Sequence, residues 1–146
     1  MSIKDTNKLT FLNPDFESDK SAPYISGGVS AGFPSPAADF TESNIDLNKE
    51  LSKNPLATFY VKVNGNSMID AGINDKDILV VDRSLEPRDN KIAVCLVDGE
   101  FTVKRIKLEK DYLFLLPENK NYQPIKITEE NQISIWGIVT YIIKAV

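Results

Sequence analysis

From Ala57 to the C-terminus the chain consists of short runs rich in Val, Ile, Phe, Tyr and Thr, at 58–63, 78–81, 92–97, 100–108, 112–116, 125–127 and 133–144. Turn residues separate them. β-Branched and aromatic side chains suit a pleated, half-buried surface, so each run reads as a strand. Asp98-Gly99, set between Val97 and Glu100, is the dipeptide that a two-residue hairpin turn prefers, which makes 92–97 and 100–108 antiparallel neighbours. One helix is expected, over 47–53, with Asp46 as N-cap, Leu47 and Leu51 on one face and Asn54-Pro55 as the stop. The fold class predicted is mainly β, a twisted sheet with one short helix.

The first 38 residues behave differently. They carry Pro14, Pro23, Pro34 and Pro36 with Gly27, Gly28 and Gly32, and show neither a 3.6 nor a 2 period. The stretch is expected to be a flexible, extended arm. It cannot supply the packed helices of a helix-turn-helix, so no direct sequence-specific DNA binding is expected. Apolar runs reach only strand length, far short of the roughly 20 residues of a spanning helix, so the expectation is a soluble cytoplasmic protein without a membrane partner. At 146 residues the chain fits one domain plus this arm.

Composition narrows the chemistry. The chain has no His, which removes Ser-His-Asp and Cys-His mechanisms and most zinc, copper and non-haem iron sites. A single cysteine, Cys95, rules out an intrachain disulfide and any Cys-rich cluster, and no metal or cofactor is called for. A net charge of −4 disfavours a general grip on nucleic-acid phosphates and favours protein partners.

Without imidazole, a hydrolytic mechanism needs another base. Ser67 follows a strand in Asn64-Gly65-Asn66-Ser67-Met68, where a turn leaves the hydroxyl and nearby N–H groups outside a ladder. Lys104 lies in a strand whose period of two puts it with Thr102, Ile106 and Leu108, opposite Phe101 and Val103. Burial there would lower its pKa towards a general base's range. Taken alone, a turn serine is more often a structural residue and a strand lysine more often snorkels to water, and the catalytic reading stays open beside these. Asp70, Asn74, Asp75 and Asp77 read as a solvated turn rather than a calcium loop, for they lack the EF-hand glycine and distal Glu. Cys95 and Trp136 read as core residues.

Three segments occur in order: Ala31-Gly32 with Phe33-Pro34-Ser35-Pro36-Ala37-Ala38-Asp39, then Gly65-Asn66-Ser67-Met68-Ile69-Asp70, then Asp98-Gly99-Glu100-Phe101-Thr102-Val103-Lys104. Together they resemble the UmuD family, self-cleaving subunits of a mutagenic translesion polymerase that share a fold with the LexA repressor and, more distantly, signal peptidase. Ile45-Asp46-Leu47-Asn48, Val80-Val81-Asp82 and Trp136-Gly137-Ile138-Val139 extend the resemblance to the C-terminus.

The resemblance implies that Ser67 is the nucleophile, Lys104 the general base and Ala31-Gly32 the scissile bond. Ala31 stands where UmuD proteins carry Cys and LexA proteins carry Ala. It also implies an oxyanion site from the backbone N–H groups of Ser67 and Met68. Residues 1–31 would be the arm that is removed and 32–146 the core that remains. Implied partners are a second copy in a homodimer, a RecA filament on single-stranded DNA that promotes the cut, and a UmuC-type Y-family DNA polymerase. The competing readings are a non-catalytic β-rich interaction module and a LexA-like repressor remnant.

Overall fold

The computed structural model describes residues 9–15, 22–25, 42–66, 68–110, 112–118, 123–127 and 133–146. The expected strands from Ala57 onward form β4 (Thr58–Lys62), β5 (Ile78–Asp82), β6 (Ile92–Val97), β7 (Glu100–Leu108), β8 (Leu113–Leu116), β9 (Ile125–Ile127) and β10 (Ile133–Ile143). Three more precede them: β1 (Thr10–Leu12), β2 (Ala22–Ile25) and β3 (Glu42–Ile45). Eight strands make one antiparallel sheet in the order β1-β4-β5-β10-β6-β7-β8-β9, and β2 pairs with β3 in a separate ribbon.

The hairpin at Asp98-Gly99 forms as its residue types require. Asp98 has φ 49° and Gly99 φ 83°, and Val97 faces Glu100 across the turn. β10 is the hub, joined to β6 through its first half and to β5 through its second, with an irregularity in each ladder. At Gly137 the backbone comes so near β5 that a Cβ would stand 2.6 Å from Val81 Cγ1. Only glycine permits that approach.

Alternation sends the side chains of β6 and β7 to opposite faces. On one, Val94 and Val103 join Val61, Val63, Leu79, Val81, Met68 and Ile73. On the other, Ala93, Cys95 and Ile106 join Leu115 and Ile138. Trp136, expected in the core, lies half-buried against the first cluster in edge contact with Phe59 and Phe101.

The helix α1 (Leu47–Leu51) starts at Asp46, whose side chain accepts from the N–H groups of Asn48 and Lys49. It ends two residues before the expected stop, with a 3-10 turn at Pro55–Ala57 following. The chain leaves the helix at Ser52, with φ −114° and ψ 78°, and Pro55 keeps Asn54 out of helical conformation as well, at φ −123° and ψ 83°. Asn54 is then used elsewhere: its Nδ2 donates to the buried Asp82 carboxylate at 2.7 Å.

The first 38 residues hold more regular structure than their composition suggests. β1 pairs with β4 in the register Phe11↔Val61, and the Phe11 ring sits edge-on to Phe101 and Trp136, at 4.7 and 5.0 Å between centroids. The Asp15 carbonyl accepts from Asn48 Nδ2. A three-residue strand is too short to register as a period, and its partners lie far along the chain, so local sequence carries no sign of it. Among the described residues, no helix is long and apolar enough to cross a membrane.

Candidate active site

Lys104 occupies the middle of β7, facing Ala93 of β6. The register puts Cys95 opposite Thr102, so Ala93, Cys95, Thr102 and Lys104 share one face, as the period of two predicts. Only 6 % of Lys104 is exposed. Burial holds its amine below the ordinary lysine range, against a smaller opposing influence from Cys95. The Cys95 thiol is itself fully buried and pushed up to about 12 by desolvation, despite the attraction of Lys104. It is therefore a neutral core thiol at neutral pH, as its apolar run suggests.

Ser67, Ala31 and Gly32 lie outside the described residues. The chain on both sides of Ser67 is anchored. On the upstream side, Gly65 N–H donates to Asp75 Oδ1 at 2.9 Å, and Val63 exchanges hydrogen bonds with the 76–77 turn. On the downstream side, Met68 is 2 % exposed and its carbonyl accepts from the N–H groups of Ala71 and Ile73. Glu118 makes a two-way link to this turn: its N–H donates to Met68 Sδ at 3.3 Å and its carbonyl accepts from Asp70 N–H at 2.6 Å. Its carboxylate accepts from Arg105 Nε.

This link bears on Lys104 through the sheet. β7 and β8 pair from Leu108↔Leu113 to Arg105↔Leu116, and Glu118 follows β8 by two residues. The ladder ends at that pair, and beyond it Glu118 is held to β7 by the side chain of Arg105, the residue that follows Lys104. The turn beginning at Met68 is thus fastened to the chain that flanks the buried amine. Sequence reasoning missed Glu118, whose role depends on contacts to Met68 and Arg105 that no local pattern announces.

The acidic residues after this turn serve backbone geometry, but the reading as a solvated turn holds only in part, because Asp77 is buried, 6 % exposed, where backbone and side-chain partners satisfy its carboxylate. Asp77 accepts from Asn74 N–H at 2.8 Å and from Lys144 Nζ, and Asp75 holds Gly65. Ala31-Gly32 falls in the connection 26–41, whose two ends are brought together by the Ile25↔Glu42 pair.

The sheet, the short helix and the buried strand lysine define a mainly β domain of LexA type. The family model described as Peptidase S24-like matches residues 23–140, and the chain belongs to that family. The chain is 44 % identical to Protein SamA of Salmonella typhimurium, over 90 % of its own length and 92 % of the relative's. It is 40 % identical to Protein MucA of Escherichia coli, over 83 % of each chain. The LexA repressor of Alcanivorax borkumensis is 36 % identical over 93 % of this chain and 65 % of the repressor. The UmuD-type resemblance read from three segments is therefore matched across most of the chain.

Proposed function

We propose that this protein is a self-cleaving serine peptidase that cuts its own Ala31–Gly32 bond with Ser67 and Lys104, and that the shortened form is an accessory subunit of error-prone DNA synthesis after DNA damage. The observation that carries the reading is the burial of Lys104 in a sheet of this family, next to chain that is tied to the Met68 turn. A buried amine without a task costs stability, whereas a neutral amine beside a serine is a base.

In the proposed reaction the Lys104 lone pair takes the Ser67 hydroxyl proton as Oγ attacks the Ala31 carbonyl carbon. The N–H groups of Ser67 and Met68 receive the oxyanion. When the C–N bond breaks, the Lys104 ammonium returns its proton to the Gly32 nitrogen. Water, deprotonated by the same amine, then hydrolyses the acyl-enzyme. Pro34 and Pro36 keep the flanking chain extended, as a cleft requires. Mechanism and partners follow the family resemblance: the protein acts in the cytoplasm as a homodimer, a RecA filament on single-stranded DNA promotes the cut, and a UmuC-type polymerase receives the product.

Intact-mass spectrometry tests the reading. Full-length protein incubated at alkaline pH, or at neutral pH with a RecA filament on single-stranded DNA, should yield fragments 1–31 and 32–146, and Ser67→Ala should yield neither. A wild-type chain that stays whole under both conditions contradicts it and leaves the interaction-module reading in place.

A further inference from the structure

β1 closes the β4 edge of the eight-stranded sheet with only three residues. Its side chains are not those of an ordinary blunted edge, which would carry charge or Pro. Phe11 instead points to the face of Val61, where its ring completes an aromatic group with Phe101 and Trp136, and Phe59 also makes an edge contact with Trp136. Arg83 lies over Trp136, its guanidinium 4.5 Å from the ring centre and its Nε donating to the Trp136 carbonyl. Phe101 is 37 % exposed even with Phe11 in place. Lifting β1 would bare two complementary features together, an unpaired row of β4 backbone groups and an apolar notch between Phe101 and Trp136.

We propose that Thr10–Leu12 is a removable cover over a strand-accepting site, and that the site takes in its place an extended segment of a partner protein with a phenylalanine at the Phe11 position. The occupant is argued from the cover: this site already binds Thr-Phe-Leu in antiparallel register with β4, so backbone pairing supplies affinity and the aromatic notch supplies selectivity. The cover belongs to residues 1–31. If the chain is cut as proposed above, β1 and β2 remain attached only by pairing with β4 and β3, and a competing segment no longer works against a covalent tether. That timing rests on the self-cleavage reading. The site does not. A second cut copy has lost Thr10–Leu12 and cannot offer that segment.

The test uses Trp136, the only tryptophan of the chain, as reporter. The probe is a synthetic peptide with the sequence of residues 9–15. Full-length chains carrying Ser67→Ala are compared with and without Phe11→Ala, with circular dichroism as the check on folding. The peptide should saturably change Trp136 emission in the Phe11→Ala chain and bind the parent about tenfold or more weakly, since the parent is open only in the fraction of molecules with β1 detached. A peptide with Ala for Phe should not bind. If Phe11→Ala misfolds, Phe11→Leu takes its place, with the same order of affinities expected. No binding to the opened chain, equal binding to both chains, or concentration-dependent self-association that blocks the peptide would each overturn the proposal. Failure of wild type to cut itself would count against the self-cleavage reading alone, because both chains in this comparison are uncut.

Discussion

Val103 and Lys104 are consecutive on β7 and almost equally withdrawn from water, 3 % and 6 % exposed, yet they face opposite sides of the sheet. Val103 enters an apolar cluster with Val61, Leu79 and Val94, where its burial stabilises the fold by roughly 1.5–3 kcal/mol. Lys104 lies over Ala93 and Cys95, where the same withdrawal disfavours its charged form. Val103 contributes to stability and Lys104 gives some of it up. The difference marks Lys104 as a residue that packing alone does not explain.

Replacing Lys104 breaks the comparison most completely. Lys104→Met makes both sides of β7 apolar and should slow self-cleavage by about 10²–10⁴-fold, the usual worth of a positioned base. Thermal stability should hold or rise. The sign follows from linkage: a lysine whose folded-state pKa is lowered destabilises fully below that value, and the penalty fades as pH rises to the unfolded-state value. The advantage of Lys104→Met should therefore shrink in alkaline buffer. Val103→Ala should show the opposite pattern, losing about 1–3 kcal/mol by thermal unfolding while the folded fraction still cuts itself.

A change in the substrate sharpens the comparison by leaving both sides of β7 intact. Gly32→Glu or Ala31→Trp should slow the cut by about 10²-fold, the effect of moving a carbonyl by about 1 Å, with little change in melting temperature. Gel analysis beside thermal unfolding separates the two effects. Cleavage of Gly32→Glu at the wild-type rate would place the scissile bond elsewhere.

Asp82 supplies the smallest and most local contrast, a buried charge that the fold supports. Burial raises its pKa, but hydrogen bonds from Asn54 and Ser84 outweigh this and leave the carboxyl below its ordinary value. Its contribution is present above the unfolded-state value and is lost as pH falls through the folded-state value. Asp82→Ala should cost about 1–3 kcal/mol at neutral pH. Urea unfolding should show the gap between wild type and variant narrowing in acid.

The sequence exposes these sites unevenly. The seven strands from Ala57 onward were readable because β-branched runs and turn residues are local signals, and Asp46 was readable as a cap because its chemistry reaches only two or three residues. The face of Lys104 followed from a period of two. Its depth did not, since that depends on β6 lying alongside with Ala93 and Cys95. β1 stayed hidden because Phe11 is explained by Phe101 and Trp136, far away in the chain. Glu118 escapes notice for the same reason, and Asp82, though part of a matching stretch, shows nothing locally of its bonds to Asn54 and Ser84. Ser67 and Ala31-Gly32 were named from motif and resemblance, and the described geometry adds the anchoring of the chain around them.

The central claim is that the buried Lys104, in its deprotonated form, is the base of a self-cleavage reaction, and the pH dependence of that reaction tests it most directly. The rate of appearance of fragment 32–146, followed by intact mass from about pH 6 to 10, should climb tenfold per unit and level off below the ordinary lysine value of about 10.4, because burial lowers the amine's pKa. Lys104→Met should remove the climb. A flat wild-type profile, or a Lys104→Met profile that matches it, would contradict the account.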